Sequence, residues 1–121
     1  KRLIGKALQI QEAYFKDSGK HRNQAFAHLQ CGKLLHHKRD YNEAKSHYLK
    51  GEAIFDKVLK SPKIDDVSDL YKQLAILGVD TKDESLTKVY LKKQIDVFGL
   101  DHPRTKEVYH YLDERGLEVS M

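Results

Sequence analysis

The sequence predicts an all-α chain of about six antiparallel helices, and three observations predict it. Apolar residues recur at three- and four-residue spacing through most of the 121 residues, the spacing that gathers them on one helix face. Only Pro62 and Pro103 interrupt the chain, so long stretches are free to be helical. The breaks between periodic stretches are short, and short connections favour antiparallel neighbours. No segment carries a strand pattern.

The first helix is expected over residues 1–17, with Leu3, Ile4, Ala7, Leu8, Ala13, Tyr14 and Phe15 apolar. Asp17, Ser18, Gly19 and Lys20 read as a break. A second helix follows from about Asn23 to Lys38, with Phe26, Leu29, Leu34 and Leu35. Arg39 and Asp40 form a tight break. A third runs from Tyr41 to Lys60 and stops at Ser61-Pro62. A fourth, from Asp65 to Leu77, has Asp65 or Asp66 as its cap and Gly78 as its stop. A fifth spans 83–98 and ends at Gly99. A sixth starts at Pro103, a favoured first helical position, and closes near Arg115 with Gly116 behind it.

Composition narrows the function classes. Hydrophobic residues make up 40% of the chain, enough for a core and against wholesale disorder. One cysteine, Cys31, excludes a disulfide framework. No apolar run is long enough to span a bilayer, and no signal peptide opens the chain. It starts at Lys1 inside a helical pattern, as expected of a piece of a longer, cytoplasmic protein. The net charge of +4 is mild. Acidic and basic residues interleave as on solvated helix faces, and the densest basic run (Lys16, Lys20, His21, Arg22) falls in an expected loop. Nucleic-acid binding needs a one-sided basic stripe and is not expected.

The chain also repeats. Tyr48-Leu49-Lys50 returns as Tyr90-Leu91-Lys92, 42 positions on (90 − 48). Residues 25–54 read AFAHLQCGKLLHHKRDYNEAKSHYLKGEAI. This stretch resembles the tetratricopeptide repeat family: Cys31-Gly32, Leu35, Asp40-Tyr41, Ala44, Tyr48 and Gly51 fall on its pattern. The resemblance implies that Gly32, Ala44 and Gly51 stand where two helices cross closely, with Leu35, Tyr41 and Tyr48 around them. Residues 65–98 look like a degenerate second repeat, and residues 1–16 like the second helix of a preceding one. VFGLDHP at 97–103 is similar to the inter-repeat segment of the longer repeats in kinesin light chains and relatives. The resemblance implies a short right-handed solenoid of stacked hairpins, with 23–60 as its best repeat and 103–115 as its closing helix. Hairpins that cannot bury their own apolar faces make a core by stacking.

Chemistry-bearing residues are few. His28 and Cys31 share a helix face, but a structural zinc site wants four ligands. Core filling is the expectation for both. Cys31 with a histidine lacks a third orienting group and an oxyanion loop. Asp65-Asp66 and Asp83-Glu84 sit at expected helix starts, where the dipole favours acids. No metal, cofactor or catalytic role is expected. The resemblance implies a protein-binding scaffold, with a partner peptide or helix lying in a groove lined by first helices. Carried onto this chain, the groove residues are Phe26, Leu29, Lys33, His36 and His37, with Ser68, Tyr71 and Ala75 in the next repeat. Lys33 stands where the family's carboxylate clamp has Asn, so that clamp is not expected. A self-associating module, an accessory domain of a larger enzyme and an RNA-binding repeat are the other readings.

Overall fold

A computed structural model describes residues 18–119, with side chains for 21–119. The leading helix expected over 1–17 lies outside the described residues. Within them the chain is all-α, five helices in antiparallel pairs: α1 (Ser18–His37), α2 (Tyr41–Val58), α3 (Asp65–Asp80), α4 (Glu84–Phe98) and α5 (Pro103–Glu114). α1 lies along α2 and α3 along α4. α3 also rests on α2, α5 and α1, and α5 touches α4.

The first hairpin closes on the small residues that the sequence singled out. A Cβ on Gly32 would stand 2.5 Å from the Tyr48 ring, and one on Gly51 3.2 Å from the Ala25 carbonyl oxygen. Ala44 is buried beside them. Side chains larger than hydrogen at Gly32 would displace the ring that fills the seam. Leu29, Tyr48, Phe55, Leu70, Leu74, Leu77, Leu91 and Val108 make one continuous core.

Three boundaries differ from expectation. Ser18, Gly19 and Lys20 are already helical, so α1 starts before Asn23 and carries His21 and Arg22 on a helix rather than in a loop. One glycine costs a helix only about 1 kcal/mol, which a 20-residue element tolerates. α3 runs through Gly78 to Asp80. There glycine serves approach, not termination: a Cβ would stand 2.7 Å from the Thr87 nitrogen and 2.8 Å from the Asp83 carbonyl oxygen. Neither Asp65 nor Asp66 caps α3. The cap position is Ile64, with no side-chain bond. α2 stops at Val58, because Leu59 turns extended ahead of Ser61-Pro62. At α5 the expected punctuation holds. His102 caps the helix, its Nδ1 accepting the Arg104 N–H at 3.1 Å, and Pro103 opens it.

α1, α3 and α5 end alike. Arg39, Lys82 and Gly116 all have positive φ, at 67°, 60° and 65°. The next residue's N–H reaches back to a helix carbonyl each time: Asp40 to Leu35 at 2.8 Å, Asp83 to Gly78 at 2.7 Å, Leu117 to Leu112 at 2.9 Å. With the bonds from Arg39 to His36, Lys82 to Val79 and Gly116 to Asp113, these are three Schellman turns. Arg39 and Lys82 lie 43 positions apart (82 − 39), not 42. In that register Leu91, not Tyr90, matches Tyr48, and Tyr90 matches His47. The turn, rather than the repeated tripeptide, sets which residues are equivalent.

Candidate partner-binding face

α1, α3 and α5 lie side by side, and polar ties cross from each to the next. Between α1 and α3, Lys33 Nζ meets Asp69 Oδ2 at 3.0 Å and His36 Nε2 meets Asp80 Oδ2 at 2.7 Å. His36 Nδ1 lies 3.3 Å from the Tyr48 hydroxyl, so this one ring joins three helices. Between α3 and α5, Arg104 grips both oxygens of Asp65, Lys72 Nζ meets Glu107 Oε2 at 2.6 Å, and the Tyr111 hydroxyl donates to Asp80. The Arg104 bonds hold the Asp65 carboxyl below its ordinary range. Burial, then the Asp80 bond, push the Tyr111 hydroxyl up to about 12. Asp80 therefore accepts from the helices on both sides of α3.

Beside these ties, α3 and α5 frame an open depression of about 860 Å³. Ile76, Pro103, Tyr109 and Tyr111 form its apolar part. Lys72, Lys106, His110, Glu107, Asp113 and Glu114 supply charge of both signs and hydrogen-bonding groups. Ligand sites combine these two elements, a mostly apolar concavity and a few placed polar groups.

The eight residues expected in the groove fall into three groups. Leu29, Ser68 and Ala75 are fully buried and Tyr71 is 4% exposed, so none presents a surface. Ser68 Oγ accepts from Gln94 Nε2 at 2.8 Å, and the Tyr71 ring packs against Tyr90 and Phe98. Lys33 and His36 are on the face but engaged with Asp69 and Asp80. Phe26, 43% exposed, and His37 are open. The register explains the buried trio on α3. Ser68, Tyr71 and Ala75 follow from Phe26, Leu29 and Lys33 by a step of 42. A step of 43 gives Asp69, Lys72 and Ile76, which tie to α1 or line the depression. The matching Schellman turns are the signal that finds them, and they need backbone geometry.

A second polar cluster joins the hairpins on the α2–α4 side. Glu52 accepts from the Tyr90 hydroxyl at 2.6 Å and from Lys93 Nζ at 2.7 Å. The Lys93 ammonium lies 5.0 Å from the Tyr90 ring centre, within cation–π range. Burial pushes the Tyr71 hydroxyl up to about 12, helped by Asp56 and Glu52. The cluster reads as an inter-hairpin tie.

Cys31 is exposed rather than core, because no described element covers that side of α1. His28 is half-buried and turned to His47, with Nδ1 atoms 3.1 Å apart. Among the described residues no three His, Cys, Asp or Glu side chains are placed to hold a metal, and no helix is long and apolar enough to cross a membrane. Comparison of the chain with known protein families, with curated proteins and with solved structures finds no match.

Proposed function

We propose that this chain is a protein-interaction scaffold of the tetratricopeptide type, a short solenoid of hairpins, and not an enzyme. One observation carries the reading: the same Schellman turn recurs at Arg39, Lys82 and Gly116. This supports reading α1, α3 and α5 as the same member of successive hairpins, and α3 lies against both α1 and α5. A partner segment lies across α3 and α5, in the depression around Ile76, Tyr109 and Lys106. An apolar side chain of the partner enters beside Ile76 and Tyr109, and an acidic one meets Lys106. This is the helix-in-groove or extended-peptide mode, where anchors supply affinity and charge supplies register. The ion ties hold the helices at fixed spacing, so little ordering cost falls on binding.

Selection from a peptide library, followed by titration, tests this. Selected peptides carry an apolar–acidic pair, and Ile76→Glu and Lys106→Glu each weaken them at least about tenfold, or 1.4 kcal/mol. Peptides insensitive to both substitutions overturn the assignment. A chain that assembles without ligand, and selects no peptide, supports the self-associating reading instead.

A further inference from the structure

We propose that the depression between α3 and α5 takes an amphipathic helix with an acidic residue seven positions before a basic one, running in the same direction as α5. This rests on the binding face proposed above and names what that face selects. The charges of the depression divide by whether they are already paired. Lys72 is engaged by Glu107 at 2.6 Å, and His110 Nε2 lies 3.1 Å from Glu114, one turn on. Lys106 and Asp113 line the same depression, are exposed, and have no ion-pair partner among the described residues.

Lys106, His110 and Asp113 follow one another on α5 at steps of four and three, so they form one stripe. Its open ends carry opposite charge. They stand seven residues apart (113 − 106), about 10 Å along a helix. Ile76 and Tyr109 give the same depression its apolar surface.

A partner that satisfies all three elements shows an acid, an apolar residue and a base on one face, the charges about 10 Å apart. A helix does this at positions i, i+3 or i+4, and i+7. An extended peptide does not. Its same-face positions fall about 7 Å or about 13 Å apart, and the three-residue step that spans about 10 Å turns its two ends to opposite faces. The order of charges then sets direction. Lys106 lies near the start of α5 and Asp113 near its end. A partner helix is stabilised by an acid in its first turn and a base in its last, and that order lays it parallel to α5.

The experiment titrates three synthetic peptides against the full chain by fluorescence anisotropy. One is an alanine-based helix with Glu, then Leu three and four positions on, then Lys seven positions on. The second has Glu and Lys exchanged. The third is held extended by flanking prolines, with Glu and Lys three apart. The Glu-first helix should bind at least tenfold tighter than the Lys-first helix, because the exchange turns two attractions into two repulsions. The gap should narrow as salt is added. Lys106→Glu with Asp113→Lys should invert the preference. Both changes suit the dipole of α5, so the fold is kept, as circular dichroism will show. Equal or opposite preference between the two helices, a preference that the double substitution leaves alone, or tighter binding of the extended peptide overturns the inference. If Ile76→Glu still weakens the peptides in that case, the binding face stands without it. Binding of none of the three overturns both.

Discussion

Hairpin one (α1/α2) and hairpin two (α3/α4) turn through the same loop and then build different seams. Hairpin one closes with Gly32 against the Tyr48 ring and Gly51 against the Ala25 backbone. Hairpin two closes at Gly78, with Thr87 Oγ1 donating to the Ala75 carbonyl at 2.9 Å. At matching positions hairpin one stacks His28 on His47, ring centres 5.3 Å apart, and hairpin two stacks Tyr71 on Tyr90 at 6.0 Å. The turn fixes the register; the seam is then free to use ring, glycine or hydroxyl, provided the volume fits. The pairs differ in chemistry. Burial pushes the Tyr71 and Tyr90 hydroxyls up, away from ordinary pH, and pushes the His28 imidazole down.

Four measurements probe this contrast, beginning with the largest expected effect. Gly78→Ala puts a Cβ against backbone atoms that cannot rotate away, so chemical denaturation should show a loss of about 2–3 kcal/mol, the upper part of the overpacking range. Gly51→Ala meets one carbonyl at 3.2 Å and gains about 1 kcal/mol of helix propensity, so it should be near neutral; equal losses at both sites would erase the contrast.

Asp80→Ala removes the acceptor for both His36 and Tyr111. About 2 kcal/mol should be lost, as for a hydrogen-bonded charged group, and His36→Ala made on top should cost less than on its own. Additive losses would mean that the two sides of Asp80 are independent.

The histidine pair predicts an acid limb. Burial lowers the His28 pKa below 6.5, with His47 and Lys50 adding repulsion. The folded state therefore binds its proton less readily than the unfolded chain, and the stability is present above pH 6.5 and falls as pH drops through the lowered value. Converting hairpin one toward hairpin two, with His28→Tyr and His47→Tyr together, should flatten that limb. The change is under about 1 kcal/mol because both rings are partly solvated. An unchanged pH profile would locate the acid sensitivity elsewhere.

Lys92→Ala is the smallest. Its bond to Asp96 joins two exposed side chains one turn apart, and thermal denaturation should move by no more than about 0.5 kcal/mol.

Helix identity was legible because it rests on local spacing: the apolar periods of Tyr41–Val58 and Glu84–Phe98 locate α2 and α4 within about two residues. The Asp101-His102-Pro103 start was legible for the same reason. Gly78 was not, since a glycine that stops a helix and one that admits Thr87 look alike until the partner helix is placed. The α3 half of the groove was lost to a single residue of register. A repeated Tyr-Leu-Lys argued for 42, whereas the turns require 43, and on a helix one residue rotates a side chain by about 100°. Asp69, Asp80 and Arg104 escaped notice because their cross-helix partners lie 31 or more positions away.

Arg39 and Lys82 hold left-handed conformations that glycine would adopt without strain, at about 1 kcal/mol each. Both stand just past the carbonyl end of a first helix, where the macrodipole is negative and a cation recovers about 0.3–1 kcal/mol. Replacing either with glycine should therefore change stability little, and the difference should grow with salt as the charge term is screened. The same two side chains place positive charge along the edge where the hairpins turn, once per hairpin. Asp40 and Asp83 follow them directly, so each turn sets a cation beside an acid and the edge carries both signs.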